Sequence, residues 1–262
     1  MKGLNAAIVT EIMKARRSKM LWISVLLFVF MGLMIGLLML LSKHPEISGK
    51  SAVLNTKASL IGKSDWPSFL NLLIQMVLTI GYIGCGIVTI WVFGREYSDR
   101  VVKDLLALPV SRIVFVLSKF IIIIFWSIIL LLILFATALI TGLIVNLDQW
   151  SLELALEYFR LYFISALLTI LLFTPVALVT CLSRGYLLPI AFVILTLILT
   201  QFIYISAPAI IPYFPWAIPA LYSGVAGSDM PHAGIISYSV LILTSVAGFL
   251  GTAAYWRFAD QK

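Results

Sequence analysis

Six apolar runs separated by short polar stretches set the rhythm of this chain: Met20–Leu41, Phe69–Phe93, Ile113–Val145, Leu161–Leu182, Tyr186–Ala207 and Ile235–Tyr255. About 20 apolar residues suffice for a helix to cross a hydrocarbon core of about 30 Å, so each run predicts one membrane-spanning helix. The third run is longer than one crossing needs and predicts a tilt, a kink or a protrusion. Pro175 predicts a kink in the fourth. Only Ser183, Arg184 and Gly185 part the fourth run from the fifth, which predicts a tight hairpin. Before the first run, Leu4, Ala7, Ile8, Ile12 and Ala15 recur at helical spacing, with Asn5, Glu11, Lys14, Arg16 and Arg17 mostly opposite. Leu4–Lys19 therefore reads as an amphipathic helix lying in the membrane interface, with a solvated tail as the alternative. Pro208–Gly234 is too rich in proline for a straight helix and too apolar for a solvated loop. It reads as short interfacial or partly re-entrant pieces.

Composition agrees with this pattern. The 262 residues are 62% apolar and 11% charged, far from a soluble domain, and the net charge of +7 is spread beside the apolar runs rather than gathered on one face. The basic residues read as topology signals and lipid contacts, not as a nucleic-acid surface. With the N-terminus inside, inner segments carry 13 of the 18 Lys and Arg residues, which predicts six spans with both termini cytoplasmic. Residues 1–262 read as one transmembrane domain of an all-α integral membrane protein. Gly81, Gly84 and Gly86 offer small surfaces for close helix packing. Cys85 and Cys181 lie within apolar runs and read as small buried hydrophobes.

Ionisable groups are nearly absent from the spans, Lys119 excepted, which argues against proton-coupled pumps and voltage sensors. Gln75 and Gln201 are the notable polar groups there. They line a substrate path or, in the commoner use of such residues, hydrogen-bond between helices. His44 and His232 have no metalloprotease spacing around them, and neither a nucleophile elbow nor a phosphate-binding loop occurs. No metal site and no catalytic residue is expected, and any use of ATP requires another chain.

The densest charge between two apolar runs is Gly94–Arg112, with Arg95, Glu96, Asp99, Arg100, Lys103, Asp104 and Arg112 ionised and Tyr97 beside them. Ser98 and Asp99 suit a helix N-cap. Val101, Leu105 and Leu108 form an apolar stripe, Arg100, Lys103 and Asp104 project around it, and Pro109 stops the helix. A short amphipathic helix held between the second and third spans can pass force to both. The alternative is an interfacial loop without a partner.

Here the chain resembles the permease subunits of ABC-2 type transporters, especially the bacitracin-resistance and lantibiotic-immunity-like group. The matching residues are Glu96-Tyr97, then Leu105-Leu106-Ala107-Leu108-Pro109-Val110-Ser111-Arg112, with Lys119 seven residues on. Many members have Gly-Thr shortly after the glutamate, where this chain has Asp99-Arg100-Val101. The resemblance implies a type V exporter-like fold in which a cytoplasmic coupling helix between spans two and three docks on a separate ABC ATPase. ATP and magnesium would be bound by that partner and no cofactor by this chain. A second permease chain, the same or related, would complete the pore in a bacterial plasma membrane. It also implies that Val101, Leu105 and Leu108 pack toward the partner or a membrane-proximal helix. Arg100, Lys103 and Asp104 would then make rim contacts, while Glu96 and Arg112 anchor the ends. The substrate class expected is amphipathic: a peptide antibiotic, a peptide toxin or a lipid-like compound. A sodium or drug exporter subunit, or a membrane sensor or scaffold with another cytoplasmic partner, are the competing readings.

Overall fold

The computed structural model describes residues 2–44, 64–99, 111–227 and 230–258. Helix α1 (Lys2–Arg16) precedes α2 (Lys19–Lys43), whose N-terminus is capped by Ser18 accepting from the Met20 amide. Then come α3 (Trp66–Ser98), α4 (Arg112–Ile144), α5 (Leu152–Ser183) and α6 (Leu187–Ser206). Two 3-10 turns, Pro208–Tyr213 and Pro215–Ala217, lead into α7 (Ile218–Ser223), and α8 (Ile235–Phe258) follows. Among the described residues there is no strand, only an isolated bridge between Asp65 and Asp148. Six helices, α2 to α6 and α8, are long and apolar enough to cross a membrane.

Helix lengths exceed the apolar runs where capping and polar but helix-compatible residues extend them. α3 starts at Trp66 because Asp65 accepts from the Ser68 amide and Pro67 sits in the first turn. It also runs on to Ser98, with Asp99 at its C-terminus, where the Asp99 amide bonds to the Arg95 carbonyl; the helix read after them lies outside the described residues. α5 begins at Leu152, capped by Ser151 accepting from the Leu154 amide, and absorbs most of the acidic connection read before Leu161. α4, with 33 residues, is about 50 Å long at 1.5 Å per residue, well beyond one crossing.

Two helices are interrupted. α3 carries a π turn at Val77–Gly81. α5 breaks at Leu172, where ψ is −1° and its amide reaches back three residues to Thr169. Pro175 has no N–H to give Leu171, and the chain accommodates that loss in this turn. The hairpin between α5 and α6 turns on Arg184 in the left-handed region (φ 51°). In the proline-rich stretch Ile211, Ala217 and Ile218 are fully buried, so these short pieces are packed structure rather than a solvated loop.

α3 is the centre of the bundle, with 61% of its apolar window buried, whereas α6 and α8 bury only 22% and 28%. Close approaches at α3 depend on small residues: a β-carbon on Gly84 would stand 2.7 Å from the Phe28 ring, and one on Gly94 2.6 Å from Tyr186. Gly86 faces Val193, while Gly81 meets Val77 and the Met76 carbonyl of its own helix. Both cysteines are buried and free. The chain turns back at each span, which gathers Ser98, Arg112, Ser183 and Phe258 at a basic end. Lys43, Trp66 and Trp150 meet at the other, distal end, where Lys43 donates to the Val145 and Asn146 carbonyls and the two indoles pack 4.4 Å apart.

Candidate functional site

At the basic end three helices converge on a buried ion cluster. α1 contributes Glu11 and Lys14, α3 contributes Arg95 and Glu96, and α4 contributes Lys119. The Lys119 ammonium lies 2.7 Å from Glu96 Oε1 and 3.5 Å from Glu11 Oε1, and donates to the Val92 carbonyl at 3.2 Å. Arg95 Nη2 reaches Glu11 Oε2 at 2.6 Å, with its guanidinium 4.5 Å above the Trp91 ring. Lys14 bridges Glu11 at 3.1 Å and Glu96 at 3.2 Å. Glu96 and Lys119 are each 1% exposed and Glu11 3%. Three cations thus surround two carboxylates, all buried except the partly exposed Lys14. Each charge is tolerable there only because the others are present.

The local sequence dictates this geometry. Ala7, Glu11 and Ala15 fall four residues apart and form the buried face of α1, while Val9, Ile12 and Met13 stay exposed. The expected apolar stripe is therefore rotated: Ala7 and Ala15 are inside as anticipated, but Ile12 faces out and Glu11 faces in. Small alanines let α1 lie close against the bundle, and Glu11 between them meets Lys119. Lys119 is the signal that sequence reasoning underused, because a lysine seven residues into an apolar helix requires a buried anion.

The two ends of the charged stretch are held separately. Glu96 is fixed in the cluster, and Tyr97 places its ring edge against Trp256 of α8, with centroids 6.3 Å apart. Arg112, at the start of α4, donates to the Trp256 and Arg257 carbonyls at 3.2 and 3.1 Å, satisfying carbonyls at the end of α8. Asp99 is exposed. Arg100, Val101, Lys103, Asp104, Leu105, Leu108 and Pro109 lie outside the described residues, as does the helix read across them.

Gln75 and Gln201, far apart in sequence, come together. Both line one cavity of about 420 Å³ toward the distal end, with Thr79, Tyr204, Val225 and Met230 among its walls. A smaller space of about 60 Å³ continues inward to Tyr82, Thr169, Leu172 and Trp216. Neither lining contains a charged residue. The π turn of α3 forms part of the wall through Leu78 and Thr79. Both glutamines are exposed, and neither carboxamide has a hydrogen-bond partner among the described residues. The arrangement suits an uncharged, largely apolar group carrying a few hydrogen-bonding atoms. Among the described residues no group of His, Cys, Asp and Glu could hold a metal ion.

A model of the family described as ABC-2 family transporter protein matches residues 7–202, from the middle of α1 through α6. The bacitracin transport permease protein BCRB of Bacillus licheniformis is 30% identical over 188 residues, covering 71% of this chain and 88% of that protein. Both the ion cluster and the two cavity glutamines fall inside the family match.

Proposed function

The chain belongs to the ABC-2 family of transporter proteins, and from that premise we propose that it is the membrane half of an ATP-driven exporter whose ATP-hydrolysing subunit is a separate chain. Its place in the family makes it a multi-pass transporter permease. The finer assignments follow. ATP and magnesium belong to the partner ATPase, which docks on the stretch between Glu96 and Arg112. Val101, Leu105 and Leu108 are the apolar contacts of that coupling helix, Arg100, Lys103 and Asp104 its polar rim, and Tyr97, Asp99 and Pro109 its boundaries.

The observation that carries this reading is the separate anchoring of the two ends. Glu96 is tied to α1 and α4 through the ion cluster, and Arg112 to the end of α8. A segment so held cannot move without loading several spans at once, which is what a coupling element requires. The bias of Lys and Arg supports a cytoplasmic position for this end and for both termini. α1 then lies along the inner membrane interface.

The proposed substrate is amphipathic, in the class of peptide antibiotics. The relative named as a bacitracin permease supports that class, as does a cavity with apolar walls and two free carboxamides. An amide left unpaired in hydrocarbon costs about 2–7 kcal/mol, so exposed Gln75 and Gln201 belong against water, substrate or protein rather than lipid. A second permease chain, the same or related, covering the open sides of α6 and α8 would enclose them. The test is affinity purification of this chain from membranes. The expected result is recovery of a stoichiometric chain bearing a phosphate-binding loop. Recovery of the folded permease with a different cytoplasmic partner in its place would support a sensor or scaffold instead.

A further inference from the structure

Beyond the ends of the charged stretch, a continuous seam of contacts leads from the basic end toward the inner space beside the cavity. It starts at Trp256 of α8, fully buried, which receives Arg112 on its carbonyl and the Tyr97 ring on its face. The Trp256 indole N–H donates to Cys181 Sγ of α5 at 3.3 Å. One turn back, Gly251 lies under Leu178, where a β-carbon would stand 2.8 Å from Cδ2. Next, Gly248 touches the α5 backbone itself: a β-carbon there would be 2.6 Å from the Thr174 carbonyl carbon and would overlap the Pro175 nitrogen. The seam ends where Thr174 Oγ1 meets the Ser245 carbonyl at 2.7 Å.

Immediately above, α5 breaks at Leu172. The Thr174 hydroxyl also lies 3.1 Å from the Leu171 carbonyl, an acceptor that Pro175 cannot serve. One proton therefore answers to three acceptors, the Leu171 carbonyl within the broken turn and the carbonyl and hydroxyl oxygens of Ser245 on the neighbouring helix. Thr169 and Leu172, at the break, line the inner space.

We infer that Phe173–Ser183 of α5 and the stretch from Ser245 to Trp256 of α8 move as one lever. It pivots at Leu172, is driven through Arg112 and Tyr97, and acts on the inner space through Phe173, at its pivot end, whose ring stacks on Tyr82 in the lining. The inference rests on the coupling role proposed for the Glu96–Arg112 stretch and adds the route by which its motion reaches the cavity. Thr174, Gly248 and Trp256 are positioning residues on this account and touch no substrate. The glycines and the Thr174 bond hold the two helices together below the pivot, while the missing proline hydrogen bond makes the pivot compliant. From Leu172 to Leu182 the arm is about 15 Å at 1.5 Å per residue, so a turn of about 15° displaces its end by about 4 Å.

The test uses the permease co-purified with its ATPase, with spin labels on one permease chain per complex. The native cysteines are buried and stay unlabelled. One pair joins Ile23→Cys on α2 to Leu182→Cys at the end of the arm; a second joins Leu37→Cys to Leu167→Cys above the pivot. All four sites are exposed. Trapping the ATPase with ATP and vanadate is expected to shift the first distance by about 4 Å and leave the second in place. Thr174→Val and Gly248→Ala are each expected to cut the shift by at least half while vanadate trapping persists. Thr174→Val preserves size, so it remains informative if Gly248→Ala fails to fold. Three results overturn the lever: no shift in a trapped complex, equal shifts of both pairs, or a shift that survives the substitutions. Absence of any co-purifying ATPase would instead remove the coupling role on which the lever depends.

Discussion

Replacing Glu96 by Gln deletes a charge from the ion cluster with little change of shape. Lys119 loses its ion pair at 2.7 Å and keeps Glu11 at 3.5 Å as its one neighbouring anion, beside the Val92 carbonyl at 3.2 Å. The cluster passes from three cations and two anions to three cations and one, all but Lys14 deeply buried. Removing one partner of a buried ion pair costs about 3–5 kcal/mol, chiefly because the other charge stays buried. The glutamine oxygen still accepts a hydrogen bond from Lys119, so the low end, about 3 kcal/mol, applies. That corresponds to a melting-temperature drop of about 6–12 °C in a domain of this size. The double variant Glu96→Gln with Lys119→Met restores the original excess of one cation. It should be no less stable than Glu96→Gln alone, so the coupling energy between the two sites should be at least the cost of Lys119→Met alone, about 3 kcal/mol. The assay is thermal unfolding of the permease in detergent, completed as a double-mutant cycle. Strict additivity of the two substitutions, or a single variant within about 0.5 kcal/mol of the parent, would refute the electrostatic account of the cluster.

Other consequences follow from packing and topology. Gly84→Ala puts a methyl against the Phe28 ring in a filled contact and should cost about 1–3 kcal/mol, read as a lower melting temperature; an unchanged value would mean that α2 and α3 are not packed as described. Gln75→Leu with Gln201→Leu should leave stability unchanged or higher, since no hydrogen bond among the described residues is lost, yet abolish protection of cells against the proposed peptide-antibiotic substrate. Loss of stability with retained protection would make the glutamines structural. Cysteines placed at Ser111 and at Ser48 should react with an impermeant reagent from opposite faces of the membrane, and labelling from one face would break the six-span arrangement.

Much of this architecture was legible in the sequence because hydrocarbon thickness fixes helix length. The six apolar runs mark the six long helices, Ser183-Arg184-Gly185 makes the hairpin, and the turn ahead of Pro175 interrupts α5. Helix ends were less legible. Hydropathy registers Glu153, Glu157 and Arg160 as polar, whereas helix formation depends on the Ser151 cap and accepts those residues readily. The ion cluster was hidden for a different reason: Glu11 lies 84 residues from Arg95 and 108 from Lys119, and no local pattern pairs them. Periodicity alone put Glu11 on the outer face of α1, although its spacing from Ala7 and Ala15 allowed it inside. Gln75 and Gln201 were recognisable singly as polar groups in apolar runs. Their meeting at one cavity required the fold.

The central proposal is that ATP hydrolysis by a separate chain is coupled to this one through Leu105 and Leu108. The most direct measurement is the ATPase rate of the purified complex in lipid nanodiscs, compared with a folded Leu105→Asp, Leu108→Asp variant and with the ATPase subunit alone. The permease is expected to raise the rate, and the variant, which places two charges on the apolar stripe proposed to meet the ATPase, to lose at least nine-tenths of that increase. An assembled complex whose rate is indifferent to both substitutions would contradict it.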